Sequence, residues 1–178
     1  MSVFPRFQAK KVGAISMLTA LALIAFLLES LLPALFIPGA KAGLSNVFSL
    51  LALVIYGPFE AVLVVGIRTI LGSIIVGNPA VLLYSLTAGE ISVLFASFLF
   101  VFFKDRLSVV AISVSSAVMH NTVQLLVYRI ITLNTAVYAF FPYLIVLGTI
   151  AGLIVGTLSL WTVKGIPSPV FERLLNER

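Results

Sequence analysis

Six apolar segments, each closed by a short glycine, proline or charged break, constrain this chain more than any other feature of its sequence. The first runs from about residue 12 to 36 and ends at Pro38-Gly39-Ala40-Lys41-Ala42-Gly43. The second, 44–56, stops at Gly57-Pro58, and the third, 59–76, stops at Gly77-Asn78-Pro79. The fourth, 80–103, is closed by Lys104-Asp105-Arg106; the fifth covers 107–131 and the sixth 138–163. A hydrocarbon core about 30 Å thick needs about 20 helical residues per crossing. Segments of this length and composition predict an all-α integral membrane protein, a six-helix transmembrane bundle forming one domain over residues 1–164. Residues 165–178, opening with Gly165-Ile166-Pro167-Ser168-Pro169, read as a short tail.

Composition agrees. Apolar residues make up 61% of the chain and charged residues 10%, far below the roughly one quarter charged in soluble domains. Cysteine is absent, which removes disulfides, thiolate metal sites and cysteine nucleophiles. The net charge of +5 does not point to nucleic acid, because the cations gather at helix ends. A cleavable signal peptide is the competing reading of the first segment, since Ala40-Lys41-Ala42 resembles a cleavage site, but the apolar run is longer than the about 7 to 15 residues such signals use.

The second and third segments are short for full crossings. They read as two tilted helices, with a re-entrant hairpin as the alternative; non-helical backbone at that depth has to be shielded by protein or line a wet cavity. Orientation follows from lysine and arginine. Arg6, Lys10, Lys11, Lys104, Arg106, Lys164, Arg173 and Arg178 fall on one side, and Lys41, Arg68 and Arg129 elsewhere. That bias predicts both termini on the cytoplasmic side of the inner, or plasma, membrane.

Charges inside apolar helices are costly and need a cavity, an interface or a partner. Glu29, Glu60, Arg68, Glu90 and Arg129 are such residues. Arg68 lies nearest the middle of its segment and is expected to have a buried partner such as Glu29 or Glu90. Arg129 lies near a helix end, where snorkelling competes with function. On the fifth segment His120, Asn121, Gln124 and Tyr128 project from one side, because three- and four-residue spacings share a helix face. That stripe suits either helix-to-helix hydrogen bonds or a ligand wall opening outward. One histidine without thiolates makes a poor metal site, and no metal is expected. Lys41 and Asn46 flank the amino end of the second helix, where free N–H groups suit a carboxylate or phosphate. Without a Gly-Lys-Ser/Thr ending the stretch is not a nucleotide loop. Gly148, Gly152 and Gly156 form a ridge allowing close helix approach, either within the chain or to a partner, and Ser16 with Ala20 form a weaker small-residue pair.

The stretch Gly39-Ala40-Lys41-Ala42-Gly43-Leu44-Ser45-Asn46, after a basic start and one long helix, resembles the signature of the Gx transporter family, also called heptaprenyl diphosphate synthase component I. That family in turn resembles the S components of energy-coupling factor (ECF) vitamin transporters. The resemblance covers about residues 11–164. It implies a bundle of the ECF S-component type, with a substrate site near the outer face, the loop after the first helix as a lid, and docking onto a transmembrane coupling subunit and cytoplasmic ATPases. It also implies docking through an Ala-x-x-x-Ala pattern on the first helix, which Ser16 and Ala20 match approximately.

The leading expectation is a non-enzymatic binding subunit with no cofactor, capturing a small vitamin-like or anionic metabolite: a flavin, a thiamine-like molecule, or a prenyl or quinone precursor. Lys41, Asn46, Arg68, His120, Asn121, Gln124, Tyr128 and Arg129 are its expected site residues. Two other readings remain open. One is an assembly subunit docking through the glycine ridge; the other is a non-catalytic partner of a prenyl diphosphate synthase. Catalysis by the chain itself is not expected, because diphosphate chemistry needs clustered carboxylates for magnesium and Asp105 is the sole aspartate.

Overall fold

In the computed structural model, residues 6–31, 43–77 and 79–167 are described. They form six α-helices: α1 (Arg6–Leu31), α2 (Ser45–Ile55), α3 (Pro58–Val76), α4 (Pro79–Phe103), α5 (Val109–Thr132) and α6 (Phe141–Gly165). A 3-10 turn over Thr135–Phe140 leads into α6. All but α2 contain a stretch long and apolar enough to cross a membrane, so five such helices mark a multi-pass membrane protein.

The boundaries follow local chemistry. Gly57 adopts φ 118°, closed to most side chains, and Pro58 opens α3 where its missing N–H costs nothing. Gly77 ends α3 in the left-handed conformation with its N–H on Ser73 and Ile74. Ser108 caps α5 by accepting from the Ala111 N–H at 3.1 Å. Asn134 accepts from the Ala136 N–H at 2.9 Å and starts the 3-10 turn.

Successive long helices pack as neighbours from α3 to α6, α1 packs on α3, and α2 lies inside, against α1, α3 and α6. Nine of the eleven α2 residues are buried. The polarity of the bundle is reversed relative to a water-soluble protein. Thr19, Glu29, Ser49, Arg68, Ser92 and Gln124 are buried, while Leu28, Phe102 and Trp161 stand at least 60% exposed. Apolar side chains outward and polar ones inward is the arrangement that lipid imposes.

The second segment is shorter than the sequence suggests. At about 1.5 Å per residue, α2 spans only about 16 Å, half of the hydrocarbon thickness. Lys11 near the start of α1 bonds Glu60 near the start of α3 at 2.6 Å, which fixes the α2–α3 turn at the level where α1 begins. Helix α2 is therefore much shorter than the helices it packs against.

The glycine ridge of α6 packs within the chain. A Cβ on Gly152 would stand 2.5 Å from the Val114 Cα of α5, and one on Gly156 would stand 2.7 Å from the Val110 Cα. Gly148 faces Asn121 and the Ala117 carbonyl in the same way. The ridge is thereby occupied by α5, which is the within-chain alternative of the two that the sequence left open. Ser16 and Ala20, by contrast, lie exposed on α1.

Candidate functional site

The polar interior collects beyond the amino end of α2. Two adjoining cavities lie there, and Gly43, Asn46, Ala117, His120 and Ala151 line both. The upper one is walled by Glu29 of α1, Arg68 of α3, Ser85 of α4, and His120, Asn121 and Gln124 of α5. The lower one continues along α2 toward the Lys11 end, between Leu50, Leu53, Val65, Val93, Ala96 and Val155.

Arg68 lines the upper cavity. It is 4% exposed. Its Nη2 donates to Asn46 Oδ1 at 2.5 Å, whereas Nε and Nη1 have no hydrogen-bond partner among the described residues. Glu29 and Glu90 both lie within electrostatic range of the guanidinium. Glu90 sits against α3 itself, since a Cβ on Gly66 would come within 2.9 Å of its Oε1. A buried charge with unpaired donors is costly, and an acceptor group reaching them lowers that cost.

Glu29 has a different task. Its Oε1 accepts from the Leu44 N–H at 2.5 Å and its Oε2 from the Ser45 hydroxyl at 3.4 Å. The Asn46 and Val47 N–H groups close onto the Gly43 and Leu44 carbonyls at 2.8 and 3.1 Å. The amino end of α2, which the sequence offered to a ligand anion, is thus capped by a carboxylate of this chain.

The α5 stripe divides along its length. His120 Nδ1 lies 3.4 Å from Ser92 Oγ. Asn121 donates to the Leu144 carbonyl at 2.8 Å and so ties α5 to α6 where Gly148 lets them approach. Gln124 is buried in the cavity wall. Tyr128 and Arg129 line neither cavity. Tyr128 meets Tyr84 edge-on at 6.5 Å and packs on Leu125, Val137 and Leu144. Arg129 Nε is buried with no partner among the described residues. Lys41 lies outside the described residues.

Five of the eight expected site residues, Asn46, Arg68, His120, Asn121 and Gln124, therefore line one cavity. Sequence reasoning did not include Glu29, Ser45, Thr69 and Ser85 in that wall. Glu29 carried a signal, an acid inside an apolar helix, but its bond to backbone fifteen residues away has no spacing to betray it. Among the described residues no group of three or more histidine and carboxylate side chains is placed to hold a metal ion.

The family model described as Heptaprenyl diphosphate synthase component I matches residues 18–161, which include every element of this site. Comparison with curated proteins gave no match.

Proposed function

The chain belongs to the heptaprenyl diphosphate synthase component I family, and from that premise we propose that it is a membrane-embedded binding subunit of the ECF S-component type, taking up a small anionic metabolite from outside the cell. The observation that carries this reading is the upper cavity, where polar groups of α2, α3 and α5 converge on Arg68 inside an otherwise apolar bundle. Ionisable groups at that depth mark substrate or ion sites in membrane proteins. A short helix whose amino end stops beside a cavity is also a recurring device of transporters.

On this reading the basic Lys11, Lys104 and Lys164 ends face the cytoplasm, where the coupling subunit and the ATPases dock. The exposed Ser16 and Ala20 on α1 are the docking face. The site opens on the other side.

The experiment is native mass spectrometry of the protein purified with its host's metabolites. One small molecule per chain supports the proposal. An empty chain with coupling proteins absent from the purified sample contradicts it.

The description of the family supports a second reading, a non-catalytic membrane partner of a heptaprenyl diphosphate synthase. On it, a soluble partner rich in aspartate supplies the chemistry. Retention of such a synthase and no small ligand in the same experiment would favour it.

A further inference from the structure

Resting on the binding-subunit reading, we propose that the ligand is an oxyanion, a carboxylate or a phosphate, carried on a slim aliphatic chain, with its head on Arg68 in the upper cavity and its chain in the lower cavity beside α2.

The head follows from what is free. Arg68 is buried in the wall of the upper cavity and holds Nε and Nη1 without a partner among the described residues. Leaving buried donors unpaired is expensive, and an oxyanion is a strong acceptor for a guanidinium N–H. The competing anion receptor, the amino end of α2, is already closed by Glu29.

The chain follows from the walls. Away from Gly43, Asn46 and His120 at its junction with the upper one, the lower cavity is lined by leucine, valine, alanine and serine, with no phenylalanine, tyrosine or tryptophan among its lining residues. The upper wall contributes Phe26 and the same His120 ring. Two of the serines turn away from the space: Ser92 Oγ donates to the Gly89 carbonyl at 2.9 Å and Ser116 Oγ to the Ser92 carbonyl at 3.0 Å. Their methylenes are left to line the cavity. Large flat ring systems are held between broad aromatic faces, which the lower walls do not supply beyond the His120 imidazole at the junction, whereas a thin chain fits between small aliphatic side chains. Of the ligand classes the sequence left open, flavins and thiamine-like molecules are disfavoured by this lining. The two cavities share Asn46 and His120 at their junction, so one molecule can occupy both.

The test uses the full chain in lipid nanodiscs, with calorimetric titration of hexanoate, hexyl phosphate, hexanol, acetate, inorganic phosphate and riboflavin. At least one of the two six-carbon oxyanions is expected to bind tenfold or more tightly than hexanol and than its own head group alone; which one does so identifies the head. Arg68→Gln is expected to abolish that preference over hexanol. Should Arg68→Gln fail to give a monodisperse particle, Arg68→Lys keeps the charge and removes the fork, and a fivefold or greater loss is expected. Ala96→Leu narrows the lower cavity and is expected to weaken hexanoate or hexyl phosphate while leaving acetate or phosphate unchanged; Ser49→Val serves the same end with less added volume. Equal binding of hexanol and the oxyanions, or an unchanged affinity in the Arg68 variants, overturns the proposal. Riboflavin binding more tightly than either oxyanion overturns the ligand class and leaves the binding-subunit reading standing. No binding of any probe, with no host metabolite retained, overturns both.

Discussion

Glu29, near the end of α1, holds the backbone N–H of Leu44 at 2.5 Å and so caps the short helix α2. The contact decides where α2 starts, and the start of α2 decides that a cavity exists beyond it. A carboxylate at a helix amino end gains from the unpaired N–H groups there, and more so away from water.

Removing that carboxylate exposes the cost. Glu29→Ala is expected to destabilise the protein by about 1–3 kcal/mol, the penalty of a buried donor left unpaired, while Glu29→Gln, which keeps an acceptor, loses less. Equilibrium unfolding in mixed micelles measures both. An alanine variant as stable as the parent would mean that Leu44 finds another acceptor.

Asn46 accepts the one hydrogen bond that Arg68 makes among the described residues. Asn46→Leu is expected to cost about 1.5–3 kcal/mol, the range for hydrogen bonds to charged groups. Ligand affinity, read by titration, is expected to fall with it, because the guanidinium is no longer held in place.

The α5–α6 seam has no room for side chains. Gly152→Val forces a methyl-bearing carbon onto the backbone of Val114, and a loss of about 1–3 kcal/mol is expected from overpacking. Gly165→Ala, where a Cβ meets nothing within 4 Å, is the control and is expected to be neutral in the same unfolding assay.

The chain contains no cysteine, so single cysteines report its orientation cleanly. On the proposed orientation, Leu133→Cys, at a position 79% exposed beyond the end of α5, is labelled by a membrane-impermeant maleimide on intact cells. Lys104→Cys, at the opposite end of α4, is labelled only after permeabilisation. The reverse pattern would invert the bundle and place the cavity on the cytoplasmic side.

Parts of this architecture are legible in residue order. Long apolar runs broken by Gly57-Pro58 and by Gly77 announce helices because the breakers act locally, on one or two backbone angles. The stripe of His120, Asn121 and Gln124 is legible for a similar reason: helical periodicity alone puts those side chains on one face. The same periodicity also carries Tyr128 and Arg129, and it cannot say how far along the helix the cavity extends. Tyr84 and the Leu125 cluster take up Tyr128, and those contacts come from other parts of the chain.

What the sequence determined by itself is the class of protein: a bundle of helices able to span lipid, a polar minority pressed inward, and a glycine ridge demanding a close neighbour. These depend on composition and on spacings within one helix, where the solvent and the backbone act residue by residue. Only the tertiary structure decided that the ridge belongs to α5, that Glu29 rather than a ligand closes the amino end of α2, and that Arg68 keeps donors free over a cavity. Each of those outcomes joins atoms on different helices, and no local rule of propensity or periodicity selects which partner arrives.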